Sequence, residues 1–201
     1  EYGKRLAREF SDIAVTYSAE GNADYHAEFI RMNATGCSYM LVNEREKTAC
    51  RVDMNMTGLY NVQNSLCAIA MVTALGFDMT ECAKALSDLD GVDGRMNVVY
   101  RGDFTVITDY AHTDDALIKV LSTLKPLTKG RLICVFGAAG DRDKEKRPMM
   151  AKAAEDNADI LVITSDNPAH ENPDEIIREV MTGISGKKPC RCITDRREAI
   201  A

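Results

Sequence analysis

No apolar run in this 201-residue chain is long enough to span a bilayer, and no signal-peptide-like apolar core opens it. Positive charge is not in excess either. Lys and Arg number 25 against 31 Asp and Glu, a net charge of −6. That balance argues against a general nucleic-acid or membrane-surface binder. A few local cations can still hold an anionic ligand. No G-x-x-x-x-G-K-[ST] phosphate loop occurs anywhere, so any nucleotide chemistry needs a phosphate cradle from outside these residues. Paired metal-ligand spacings are missing too. The seven cysteines are an odd set, and Cys190-x-Cys192 has neither a second pair nor a nearby histidine. These are expected to be reduced thiols, two of them in one strand, which predicts a cytoplasmic protein with no metal site of its own. What remains is ordinary for a folded protein: 45% hydrophobic and 28% charged residues, enough for one domain or one domain and part of another.

Two rhythms divide the chain. Up to residue 57, short strand-like runs (Ile13–Tyr17, Tyr25–Met32, Ser38–Val42, Cys50–Met54) alternate with polar turns, which predicts a small antiparallel sheet. A helix over 62–75 with Gly76 just past it follows, then a second, "MTECAKALSDL", with Thr80 as its cap. Glycines in "DGVDGR" mark a break, placing the domain boundary between residues 92 and 93. Beyond it, strand and helix alternate four times. The strands are Thr105–Thr108, Leu132–Phe136, Ile160–Thr164 and Arg191–Thr194, and the helices 114–124, 148–157, 173–182 and one opening at Asp195. This predicts an α/β domain, a Rossmann-like, mostly parallel sheet with flanking helices, preceded by a smaller α+β region. Ligands bind such sheets at the carboxyl ends of the strands. Each polar cluster, "DYAHTDD", "GAAGDRDKEKR" and "SDNPAHEN", follows a strand directly.

Each cluster admits a plain and a chemical reading. In Asp109-Tyr-Ala-His112 the carboxylate suits a ribose hydroxyl pair and the imidazole a phosphate; the plain reading is a helix cap and a surface histidine. Arg142, between Asp141 and Asp143, is expected to be held by those carboxylates, preorganised to grip a ligand carboxylate; the alternative is a solvated charged loop. Pro168 biases Asn167 toward an extended conformation, and Asn172 with Pro173 has the form of a helix start. Asn61 and Asn64, at the start of the first long helix, suit capping or the edge of a base.

Together "GLYNVQNSLCAIA" (58–70), "GRMNVV" (94–99), "DYAHTDDAL" (109–117), "FGAAGDRDKEKRPMM" (136–150), "TSDNPAHENPDEII" (164–177) and "DRREAI" (195–200) resemble the Mur ligases, specifically the MurE type, UDP-N-acetylmuramoyl-tripeptide synthetase. They occur in that family's order over roughly residues 10 to 201. The resemblance implies the end of a central ATPase domain (1–92) joined to most of the C-terminal ligase domain (93–201). The phosphate loop and the Mg2+ ligands would lie outside, leaving the chain by itself inactive. It implies an ATP-dependent amide ligase acting on UDP-N-acetylmuramoyl-L-alanyl-D-glutamate through an acyl phosphate, without nucleic acid or membrane partners. Asn64, Arg95 and Asp109 would serve ATP, and His112 would lie near the transferred phosphate. Arg142 with Asp166, Asn167, Pro168 and Ala169 would bind the incoming diamino acid. Ala169 stands where diaminopimelate-adding members usually carry arginine, so L-lysine is the expected substrate and meso-diaminopimelate the alternative. Asp114 replaces the usual proline, and Ala138 and Ala139 stand where "CGG" is usual. A folylpolyglutamate synthase would share the architecture, and a non-catalytic nucleotide-binding module is the reading from a different class.

Overall fold

The computed structural model describes residues 2–201, which form two compact units, one running to Asp109 and the other from Tyr110 to Ala201. In the first unit, helix α1 (Tyr2–Glu9) precedes four strands: β1 (Tyr17–Ser18), β2 (Tyr25–Asn33), β3 (Gly36–Asn43) and β4 (Thr48–Met54). They hydrogen-bond in that order, antiparallel except for β1 beside β2. Strand β3 shows why the sheet has two faces: Cys37, Tyr39, Leu41 and Asn43 are buried at a period of two. Their face meets α2 (Leu59–Ala74), which turns Val62, Leu66 and Ile69 inward, and α3 (Met79–Ser87). Leu41, Val52, Val62 and Leu66 are wholly buried. Each contributes about 1.5–3 kcal/mol by leaving water. A hairpin of β5 (Asn97–Arg101) and β6 (Thr105–Thr108) completes the unit.

Several expectations are corrected here. Ile13–Tyr17 is not a strand: Ile13 is exposed at the surface and only Tyr17 and Ser18 pair. Helix α1 had no counterpart in the sequence reading. Helix α3 is capped by Asp78, whose carboxylate accepts from the N–H groups of Thr80 and Glu81, so Thr80 is the capped residue. Asn61 and Asn64 do not cap α2, whose N-cap is Gly58 and which has no side-chain cap. Thr105–Thr108 joins no parallel sheet, because its hydrogen bonds go to β5.

The second unit carries helix α4 (Asp114–Leu124), capped by Thr113 and continued by a 3-10 turn, then β7 (Ile133–Phe136), α5 (Lys146–Asn157), β8 (Ile160–Ile163), α6 (Pro173–Met181), β9 (Cys190–Cys192) and α7 (Arg196–Ile200). Strands β7, β8 and β9 lie parallel in that order. Cys134, Phe136, Leu161 and Ile163 share a core with Leu117 and Leu121 of α4, Met150 and Ala154 of α5, and Ile177 and Val180 of α6. The alanines at 151, 153 and 154 let α5 pack between α4 and α6. As the sequence suggested, Asn172 caps α6 through the Asp174 N–H with Pro173 as its first residue, and Asp195 caps α7. Helix α5 starts two residues before Pro148. The Glu155 carboxylate, buried in α5, accepts from Ser185 N–H, Ser185 Oγ–H and Lys187 N–H, tying down the chain that enters β9.

Candidate functional site

In the first unit, the start of α2 faces the residues around the hairpin. Asn61 is buried in the first turn, donates to the Thr57 carbonyl at 2.8 Å and lies 3.4 Å from the amide of exposed Asn64. The buried Asn61 thus orients the exposed Asn64. Asp109, following β6, accepts from the Met96 N–H at 2.9 Å. Met96 is buried with φ 48°, a left-handed conformation that a methionine holds only when its surroundings fix it. Arg95 is exposed beside it. Tyr60 feels both neighbours: burial and the Asp109 charge push its hydroxyl pKa well up, against a smaller opposing effect of Arg95. The hydroxyls of Tyr60 and Thr57 are buried without a protein hydrogen-bond partner. Buried polar atoms of that kind are uncommon and mark a place where a ligand or water would bond. The sequence reading named neither.

In the second unit, the loops after β7 and β8 interlock. Gly140 donates its N–H to the Asn167 carbonyl at 2.8 Å. A Cβ at Gly140 would lie 1.9 Å from the Pro168 carbonyl oxygen, and one at Gly137 2.3 Å from that of Thr164. Glycine is required at both positions because one backbone passes directly over another. This brings exposed Arg142 into the same loop cluster as Asp166, Asn167, Pro168 and Ala169. The Asn167 carboxamide accepts from the Ala169 N–H at 3.1 Å, and Ala169 has φ 48°. So Asn167 braces its own loop as an Asx turn, rather than presenting that oxygen outward.

The expected grip of Asp141 and Asp143 on Arg142 is not made. Asp141 pairs with His170 at 2.6 Å, and Asp143 accepts from the Glu145 N–H. The arginine that carboxylates hold is Arg147, 1% exposed, which bonds Glu171 through both terminal nitrogens and Glu179 through one. These carboxylates raise its already high pKa further, Glu171 most, and Arg147 in turn holds Glu171 far below the usual carboxylate range. A signal for Arg147 was present: it shares helical spacing with Met150, Ala151 and Ala154, the face of α5 that turns inward. Arg196 of α7 also reaches this cluster, donating from Nε to the Ser165 carbonyl at 2.8 Å and lying 3.8 Å from the Asp166 carboxylate.

His112 is exposed and its Nδ1 is 2.9 Å from the Tyr110 carbonyl. A carbonyl only accepts, so Nδ1 carries the proton and Nε2 is left for a ligand. Among the described residues no three His, Cys, Asp or Glu come together to hold a metal. No helix there is long and apolar enough to cross a membrane.

Comparison with known proteins adds the lineage. Residues 94–201 match the family model described as Mur ligase, glutamate ligase domain, and residues 1–72 the Mur ligase middle domain. The chain is 39% identical to a UDP-N-acetylmuramoyl-L-alanyl-D-glutamate–2,6-diaminopimelate ligase of Clostridium acetobutylicum, covering 100% of this chain and 42% of that protein. It is 42% identical to the ligase of the same name from Geobacillus kaustophilus, over 92% of this chain and 38% of that one. A solved structure of a ligase of this name superposes with a TM-score of 0.62 at 38% identity, over 92% of this chain and 38% of that chain. The chain therefore spans about two-fifths of the length of these relatives.

Proposed function

The chain belongs to the Mur ligase family, and from that membership we propose that it is the part of a MurE-type ligase that contributes to ATP binding and receives the incoming diamino acid. The observation that carries this reading is the interlocking of the Gly137–Asp143 and Asp166–Ala169 loops at the carboxyl ends of β7 and β8. The assigned boundary is that of the sequence reading, with 1–92 as the end of the central domain and 93–201 as the ligase domain. Seven free thiols suit a cytoplasmic protein.

In this proposal the acid substrate is UDP-N-acetylmuramoyl-L-alanyl-D-glutamate. ATP supplies the phosphoryl group that turns its terminal carboxylate into an acyl phosphate. The amine of the diamino acid attacks that carbonyl and phosphate leaves as the amide forms. Asn64 meets the adenine edge, with its amide oriented by Asn61. Asp109, fixed by the Met96 N–H, takes the ribose hydroxyls, and Arg95 the phosphate side. His112 offers Nε2 to the transferred phosphate. Arg142, not tied to its neighbouring aspartates, grips a carboxylate of the amino acid bidentately, and Asp166 takes an ammonium. Asn167 and Pro168 shape the loop under them, and Ala169 leaves space beside it.

The names of the relatives support meso-diaminopimelate as the amino acid rather than the L-lysine expected from Ala169. Arg196 supports the same choice: its guanidinium at the Asp166 loop provides the cation that Ala169 lacks. L-Lysine stays as the second reading on the strength of Ala169, since it has no distal carboxylate to pair. The "GDRD" and "DNPA" stretches together disfavour a folylpolyglutamate synthase. The test uses a ligation-competent protein carrying this chain, with ATP, Mg2+, the acid substrate and both amino acids at equal concentration, products resolved by mass. A dominant diaminopimelate adduct is expected. A dominant lysine adduct overturns the choice of amino acid. ATP binding with no amide product from either would favour the non-catalytic module.

A further inference from the structure

The charged network around Arg147 contains a carboxylate that the binding and chemical steps above do not use. Glu171 lies two residues past Ala169 and immediately before the Asn172 cap of α6, so it belongs to the loop that follows β8. Its oxygens face the other loop. Oε1 accepts from the Asp141 N–H at 2.7 Å and from Arg147 Nη2 at 2.7 Å, while Oε2 takes Arg147 Nη1 at 3.0 Å and Lys144 Nζ at 2.9 Å. Arg147 also donates to the Ala139 carbonyl at 3.3 Å. Both sides of Arg142 are thereby fastened: Ala139 and Asp141 before it, Lys144 and Arg147 after it. Asp141 has φ 55°, an uncommon conformation for aspartate that persists because its surroundings fix it, and its side chain is also held by His170. Arg142 itself carries none of these ties.

We infer that Glu171 is a positioning residue for the incoming amino acid: one carboxylate, gripping Arg147 and the Asp141 N–H together, sets the distance between Arg142 and the Asp166–Ala169 loop. The inference rests on the proposed amino-acid site. Glu179 separates positioning from mere stability. It shares the same buried guanidinium at 2.5 Å and lies 3.6 Å from Lys144 Nζ, farther than Glu171 does, but it lies on α6 and has no hydrogen bond to the backbone next to Arg142. Losing Glu179 therefore weakens the anchorage of Arg147 without releasing Asp141.

The experiment measures apparent KM for the amino acid and for ATP in a ligation-competent protein carrying this chain, for Glu171→Gln, Glu179→Gln and Arg142→Ala. Glu171→Gln is expected to raise the amino-acid KM about tenfold and leave the ATP KM within twofold. Glu179→Gln is expected to leave both KM values within twofold. Glu171→Asp, which keeps the charge on a side chain one methylene shorter, gives the same split at smaller size and serves if the glutamine variant does not fold. An unchanged amino-acid KM in both Glu171 variants, with Arg142→Ala still raising it, overturns the positioning role alone. An equal rise in Glu179→Gln overturns it too. An unchanged amino-acid KM in Arg142→Ala overturns the underlying site.

Discussion

Replacing Gly140 with alanine probes the loop crossing on which the proposed amino-acid site depends. The added Cβ would sit 1.9 Å from the Pro168 carbonyl oxygen and 2.5 Å from its carbon, both backbone atoms that no side-chain rotation can move aside. Reaching even a tight contact near 3 Å requires the two loops to part by about 1 Å, a distance that can cost ~100-fold when it misplaces a binding group. The separation strains the Gly140–Asn167 backbone bond of 2.8 Å and the Asp141–Glu171 bond of 2.7 Å. Losing one such bond costs about 1 kcal/mol, and forcing a methyl group into a filled site about 1–3 kcal/mol. Gly140→Ala is therefore expected to lose about 2–4 kcal/mol in urea denaturation, summing those two effects. In a ligation-competent protein carrying this chain, kcat/KM for the amino acid should fall by about 10–100-fold. The ATP KM, measured well below the variant's unfolding temperature, is the internal control and should not change. An alanine variant with unchanged stability and unchanged amino-acid kinetics would refute the reasoning.

Two further predictions concern other parts of the chain. Asp109→Asn keeps an oxygen for the Met96 N–H and should raise the ATP KM, whereas Asp109→Ala also strands that N–H and should be less stable than the asparagine variant by about 1–3 kcal/mol; equal stability of the two variants would contradict this. Glu155 is held at about 2, chiefly by the Ser185 N–H and hydroxyl. Its folded pKa lies below the unfolded value of about 4.3, so its contribution is complete above that value and is lost as pH falls toward about 2. The urea midpoint of Glu155→Gln should therefore fall less steeply than the parent's across that window, and parallel acid limbs would exclude the role.

Much of the second unit was legible in the sequence because its signals are local. Asn172 followed by Pro173 is a helix start whatever surrounds it, and the runs at 133–136 and 160–163 are strands by apolar content alone. Where partner choice decides, local pattern misled. Thr105–Thr108 has the composition of a strand in either sheet, and only the hairpin with Asn97–Arg101 determines which. Position was harder still in "DRDKEKR". Arg142 and Arg147 are the same residue type in the same charged stretch, yet one is exposed in the loop and the other, in the first turn of α5, is buried between two carboxylates 24 and 32 residues downstream. Long-range pairing of that kind leaves no mark in spacing. The burial of Arg147 does leave one, since it continues the inward stripe of Met150, Ala151 and Ala154.

The central claim is that Arg142 receives a carboxylate of the incoming amino acid, and the most direct measurement is that amino acid's apparent KM in Arg142→Ala and Arg142→Lys beside the parent enzyme. Loss of a charge-assisted bidentate pair costs roughly 2–5 kcal/mol, so the alanine variant should raise it about 30-fold or more. Lysine retains the charge but not the fork and should fall between the two. The ATP KM should stay constant throughout. An amino-acid KM that is the same in all three proteins would contradict the account.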